Sequence, residues 1–220
     1  WESVQAQSPM VRDELESELE RIAWPAHYLD FESVMTAIPL YPNTPPYHQV
    51  PTQYSSHCCD NVGHVMAHAE YLCDHTKDSR FDLAKRLIED LPGNGSIIVY
   101  SNFEKTIINA LAVAFPSLAP SLESLVDRIV DLQDIIIKNF YHHDFGGSVS
   151  LKSTLPALVP DMSYSSLAIG EGETAMVTFA YLAMGRYDNE SADAERRNLL
   201  EYCKQDTLAM VKLHERLDEY

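Results

Sequence analysis

The order of hydrophobic patterns predicts an α/β fold, a mixed β-sheet with helices packed on it. Residues 27–72 hold three strand-like runs, the last two joined by Asp60-Asn61-Val62-Gly63, a hairpin-like turn. Ile97-Ile98-Val99-Tyr100 is a short continuous apolar run of the kind that lies buried on both faces of a sheet. Helical periodicity dominates everything after it.

In chain order, residues 9–22 predict a helix, because Leu15, Leu19 and Ile22 fall at i, i+4 and i+7 with acids between them. The stripe is narrow, so residues 1–22 are expected to be a linker helix continuing from an upstream region of a longer, multidomain protein. Trp24-Pro25 breaks it. Residues 27–35, 52–59 and 64–72 predict strands, and the Pro- and Tyr-rich stretch 38–51 a loop. Residues 78–91 predict a helix burying Phe81, Ala84, Ile88 and Leu91, with Leu87 beside them, and Pro92-Gly93-Asn94-Gly95 ends it. After the strand at 97–100, a helix over 103–115 is capped by Ser101 or Asn102. Residues 118–140 predict helix with a break near Val130-Asp131-Leu132. A short helix from Ser150 should end at Pro156. Helices over 171–184 and from Ala192 onward complete one domain, residues 23–220.

Composition limits the function classes. Of 220 residues, 45% are hydrophobic, enough for a core without a disulfide or a structural metal. No apolar run is long enough to span a bilayer, so no membrane partner is expected. Cys58, Cys59, Cys73 and Cys203 lack the paired spacing of a zinc site and are expected to be free thiols in a reducing cytoplasm. The net charge of −17 argues against tight, sequence-independent duplex binding, which rests on Lys and Arg neutralising phosphates.

Asp30 and Glu32 lie in Tyr28-Leu29-Asp30-Phe31-Glu32. On a strand, i and i+2 face one side, so both carboxylates project together while Leu29 and Phe31 point away. Neighbouring anions repel, and a cation between them relieves that repulsion. Oxygen-only ligands favour Mg²⁺ or Mn²⁺ over zinc. Glu14, Glu16 and Glu18 repeat the spacing in a helical stretch, where it means nothing. Glu104, in Asn102-Phe103-Glu104-Lys105, follows the buried strand, where ligand sites of α/β folds are frequent. By itself it is also an ordinary first-turn acid. Tyr202 and Asp206 are one helical turn apart and share a face, and a Tyr hydroxyl beside such an Asp can orient a water.

These three motifs, in this order, resemble those of the DEDD 3′–5′ exonucleases in their tyrosine-bearing branch, within the ribonuclease H-like superfamily. In more detail the chain resembles an uncharacterised bacterial domain-of-unknown-function family assigned to that fold. The likeness rests on residues 29–32, 46–54, 102–105, 150–152 and 201–207 and covers roughly residues 23–218. It implies a ribonuclease H-like mixed sheet and a metal-dependent hydrolase acting on phosphodiester bonds at the 3′ end of single-stranded DNA or RNA, releasing nucleoside 5′-monophosphates. It also implies two divalent cations, Mg²⁺ or Mn²⁺. Asp30 would bridge them, Glu32 and Asp206 would complete the site that activates water, Glu104 would hold the second ion, and Tyr202 would position the attacking water. The second motif of this branch carries Asp where this chain has Glu104, and Asp131 or Asp144 are alternatives for that role.

Two other readings stay open: a catalytically weak nuclease-fold interaction module, and a phosphodiesterase for short oligonucleotides or nucleotides. His142-His143-Asp144 has the look of a metal cluster but lacks helical His spacing, so these are expected to be loop residues. Lys105 and Lys152 are read as solvated surface lysines.

Overall fold

A computed structural model describes Ser3 and residues 7–220; the part of the expected N-terminal helix on residues 1, 2 and 4–6 lies outside the described residues. Where the pattern predicts one helix over 9–22, a two-residue strand β1 (Met10–Val11) precedes a single short helix α1 (Glu14–Leu19). Met10 and Val11 pair antiparallel with Tyr141 and Phe140, and that ladder competes with helix for their backbone groups. The apolar stripe survives: Leu15, Leu19 and Ile22 are buried against the domain.

β2 (Ala26–Val34), β3 (Val50–Asn61) and β4 (His64–Leu72) form the expected antiparallel meander. Gly63, at φ 72°, supplies the positive φ that the tight turn needs. After α2 (Arg80–Asp90), β5 (Ile97–Val99) enters parallel to β2. The two are stitched together at their start: Ser96 N–H donates to Ala23 O at 2.7 Å, and His27 N–H donates to Ser96 O at 2.9 Å. Gly95 permits this approach, because a Cβ there would lie 1.8 Å from Pro25 O.

Next come α3 (Phe103–Ala114), α4 (Ala119–Val126), β6 (Ile129–Asp131) and α5 (Leu132–Asn139). The break predicted near 130–132 is therefore a sheet strand, whose Ile129, Val130 and Asp131 pair in parallel with Ile97, Ile98 and Val99. Three half-buried residues between helices are too few to show a strand period. β7 (Phe140–Tyr141) is the partner of β1. α6 (Leu151–Leu158) runs through Pro156, where the pattern predicts a stop; Thr154, Leu155 and Leu158 are buried on both sides of the proline and hold the short helix in place. α7 (Gly172–Ala183) and α8 (Asn189–Leu217) close the chain. The Asp188 carboxylate caps α8 by accepting the Ser191 N–H at 2.8 Å.

The five-stranded sheet has the order β4-β3-β2-β5-β6, antiparallel on the β4 side and parallel on the other. Alternation on β2 sorts the two layers. Leu29 and Phe31 join Ile97 and Val99 in a core with Leu83, Leu87 and Ile108 of α2 and α3. Ala26 and Tyr28 join Ile98 in a second core with Ile136 of α5, Leu155 of α6 and Met210 of α8. Each fully buried Leu, Ile or Phe contributes about 1.5–3 kcal/mol of transfer free energy. On α2 the buried face is Leu83, Ala84 and Leu87. Phe81, predicted to be in that face, is 44% exposed and meets Phe115 edge-on at 5.4 Å. All four cysteines are free. Among the described residues no helix is long and apolar enough to cross a membrane.

Candidate metal centre

Asp30 and Glu32 share the face of β2 that α8 covers. Register pairs Asp30 with Ser55 and Glu32 with Gln53, and a bulge falls between Glu32 and Ser33. β5 pairs with β2 only at His27 and Tyr28, so the edge of β2 beyond them is open. Both carboxylates therefore stand at the carboxyl end of β2 beside its parallel neighbour, a frequent place for ligands in α/β sheets.

α8 crosses this face, and its i, i+3, i+4 pattern of buried residues brings Tyr202, Cys203 and Asp206 down onto it. One carboxylate oxygen each from Asp30, Glu32 and Asp206 lies within 4.8 Å of the others. Of the five residues singled out in the sequence, these three form one cluster. Tyr202 stands beside them: a Cβ added at Gly172 would lie 3.8 Å from the Tyr202 hydroxyl and 4.0 Å from Glu32 Oε2. The first residue of α7 thus looks onto the same spot.

Glu104 is outside that tight group but acts on it. It is 3% exposed, and its Oε2 has no hydrogen-bond partner. Its aim comes from the turn after β5. Ser101 has φ 142°, a backbone conformation L residues rarely adopt, and its Oγ accepts the Phe103 N–H at 3.1 Å. Asp131, the first alternative, faces Glu104 from β6 and uses a carboxylate oxygen to cap α5 through Asp134 N–H. Asp144, the second, is with His142 and His143 instead.

Electrostatics show the cost of this gathering. Burial first, then the Asp206, Glu32 and Glu104 charges, hold Asp30 well above the ordinary carboxyl range; a bond from the Cys203 thiol works the other way. Burial and Asp206 push Glu32 up to about 8, against the pull of Lys152. Burial pushes Glu104 to about 8, helped by Asp131. Burial lifts Asp206 to about 6 against Tyr164, Lys152 and Tyr202, which favour its charged form. Carboxyls this close cannot all ionise without a compensating positive charge. An oxygen-only set with one orphaned buried oxygen, Glu104 Oε2, fits hard divalent cations such as Mg²⁺ or Mn²⁺.

Three further residues join the site through contacts made between elements. Tyr164 donates its hydroxyl to Asp206 Oδ1 at 2.5 Å. The Cys203 thiol donates to Asp30 Oδ2 at 3.4 Å. Lys152, read from the sequence as a solvated lysine, has its ammonium 5.2 Å from the centre of the Tyr202 ring and 5.4 Å from that of Tyr164, and donates to Gly170 O at 2.8 Å. The Ser150-Leu151-Lys152 segment was the available hint.

His142, His143 and Asp144 also bring ligand atoms within 4.8 Å. The His142 and His143 rings stack at 4.3 Å with planes 26° apart. The Asp144 N–H already donates to His142 Nδ1 at 3.2 Å. A groove of about 630 Å³ lies elsewhere, between α1 and the end of α8, lined by Leu15, Leu19, Leu217 and Tyr220 among others.

A family model described as Domain of unknown function (DUF2779) matches residues 27–150. The matched stretch carries Asp30, Glu32, Glu104 and Asp131; Lys152, Tyr164, Tyr202 and Asp206 follow it. No curated protein and no solved structure matches the chain.

Proposed function

The chain belongs to the DUF2779 family, and from that premise we propose that it is a metal-dependent 3′–5′ exonuclease of the DEDD type, hydrolysing phosphodiester bonds of single-stranded DNA or RNA. The observation that carries this is the convergence of Asp30, Glu32 and Asp206, drawn from the first long strand and the last helix, to within 4.8 Å. The order of elements supports it: an antiparallel meander, then helices alternating with parallel strands, is the order of a ribonuclease H-like exonuclease domain.

Asp30, Glu32 and Asp206 would hold one divalent cation, and Asp30 with Glu104 a second. Two such ions, Mg²⁺ or Mn²⁺, would neutralise charge on the attacking and leaving oxygens of an in-line displacement and make water acidic enough to attack. The chain's own groups do the rest. Tyr202 is held far above the ordinary phenol range by burial and by Asp206, Glu32 and Asp30. It therefore acts as a neutral hydroxyl that orients water, not as a phenolate base. Tyr164 fixes the Asp206 carboxylate by its hydrogen bond. Lys152 brings a positive charge to the rim, where a phosphate diester would need one in a chain of net charge −17.

The test is incubation of 5′-labelled single-stranded DNA and RNA with the protein and Mg²⁺ or Mn²⁺. Stepwise shortening from the 3′ end, lost with Asp30→Ala or Asp206→Ala, is expected; intact substrate under every metal would end the enzyme reading. A second reading, an interaction module with a weakened site, draws on one observation: Glu104 falls outside the tight carboxylate group and neighbours Asp131. It differs in expecting metal binding without hydrolysis, or neither.

A further inference from the structure

One residue past Asp206, the buried Thr207 anchors a branched chain of hydrogen bonds to the sheet. Its Oγ lies 2.8 Å from Ser55 Oγ, 2.8 Å from His57 Nδ1 and 3.1 Å from Lys204 O. Ser55 Oγ lies 2.9 Å from His68 Nε2. One proton arrangement serves all of these contacts at once. The Thr207 hydroxyl has a single proton, and the Lys204 carbonyl, which can only accept, takes it. Ser55 O–H and His57 Nδ1–H must then donate to the two lone pairs of Thr207. With the Ser55 proton used, His68 must donate from Nε2. Every donor has an acceptor, and each imidazole needs only one ring proton for the part it plays. Burial pulls both imidazoles toward the neutral form, His57 to about 4, which agrees with one ring proton each.

The chain is placed where it matters. Ser55 is the register partner of Asp30, and antiparallel partners share a face. Thr207 is the neighbour of Asp206 on the helix. The network therefore ties the strand beside one carboxylate to the turn that carries another.

We propose that Thr207, held by Ser55 and His57, is a positioning residue that fixes the rotation and height of α8 so that the Asp206 carboxylate meets Asp30 and Glu32. The proposal rests on the metal-dependent reading of the site. Thr207→Val keeps the shape and removes the acceptor, leaving the Ser55 and His57 donors without their partner. A helix relieved of that pin turns or lifts, and Asp206 leaves the cluster.

The experiment is Mn²⁺ titration by calorimetry on the full chain, for wild type, Thr207→Val, Thr207→Ser and Ser55→Ala, with hydrogen exchange across residues 199–210 of the metal-free proteins. Thr207→Val should weaken Mn²⁺ binding about tenfold or more and speed exchange in that turn, consistent with loss of a buried acceptor. Thr207→Ser, which keeps the hydroxyl, should restore binding to within about threefold, and Ser55→Ala should fall between, as the loss of one donor of the pair predicts. A general loss of packing would not be rescued by the smaller Ser. Wild-type affinity in Thr207→Val, or Thr207→Ser as weak as Thr207→Val, overturns the positioning role while leaving the metal reading intact. If Thr207→Val does not fold, Ser55→Ala and Thr207→Ser decide it: unchanged binding in the first or lost binding in the second overturns it. No Mn²⁺ binding by wild type, with normal protection of residues 199–210, overturns the metal reading and this role with it.

Discussion

Tyr164 donates its hydroxyl to Asp206 Oδ1 at 2.5 Å across 42 residues of sequence. Its partner is thereby held in one orientation, and the bond favours the charged carboxylate, opposing the burial that lifts Asp206 to about 6. Tyr164→Phe should raise the pH at which the site takes up metal and lower metal-dependent activity about tenfold, the scale of a hydrogen bond to a charged group. A pH series of Mn²⁺ titrations checks this; an unshifted midpoint would mean that Tyr164 is only packing.

Lys152 should behave as part of the same environment. Its charge lowers the carboxyls of Glu32 and Asp206, so Lys152→Met should push both higher and move the acid limb of the activity profile to higher pH. Because the ammonium is at the rim, the fold should melt within a few degrees of wild type, a small change for an exposed group. A profile identical to wild type would return Lys152 to the role of a solvated lysine.

Stability of the metal-free protein should depend on pH in a definite direction. Glu32 and Glu104 rise from 4.5 to about 8 on folding, and Asp206 from 3.8 to about 6. In that interval the folded state binds more protons at these groups, so their contribution to stability falls as pH rises, while His27, His57 and His214, lowered by burial from 6.5 to about 4, contribute the opposite slope below about pH 6.5. The carboxyl contribution is whole below about pH 4 and lost as pH passes about 8 for the two glutamates. Thermal melts in chelator should therefore show Tm falling from about pH 6.5 to about pH 8, where those imidazoles are largely neutral in both states and Glu32 and Glu104 still titrate. Added Mn²⁺, which binds the ionised groups, should reverse the fall most strongly at the alkaline end. A Tm flat between about pH 6.5 and about pH 8 would contradict the raised glutamates.

Gly95 tests the frame that sets β5 beside β2. A Cβ there meets Pro25 O at 1.8 Å, and backbone cannot step aside as a side chain can. Gly95→Ala should cost about 2 kcal/mol or more in denaturant unfolding, in the range of overpacking penalties. Gly93→Ala, with nothing within 4 Å of its Cβ, is the space control, although φ 80° still strains it.

What the sequence made legible follows from what periodicity can report. Alternation on β2 put Asp30 and Glu32 on one face, and helical spacing put Tyr202 and Asp206 together, because each pair sits within one regular element. The α/β class and most element positions were readable for the same reason. β6 was hidden because three residues carry no period, and α1 was drawn too long because the Met10–Val11 ladder is a long-range pairing. Tyr164 and Thr207 were invisible as site residues, and Lys152 was flagged only by the Ser150-Leu151-Lys152 segment, since their roles exist only across elements that the fold brings together. Glu104 was found by motif order, but that it falls outside the tight carboxylate group depends on how elements far apart in sequence meet, which local pattern does not encode.

The central claim is that the carboxylates of Asp30, Glu32 and Asp206 gather to hold divalent cations. Anomalous diffraction from crystals soaked in Mn²⁺ tests it most directly. A peak enclosed by those three side chains is expected, with a second toward Glu104, and both should vanish in Asp30→Asn. A crystal with no peak at Asp30, or one that takes Mn²⁺ only at His142, His143 and Asp144, would contradict it.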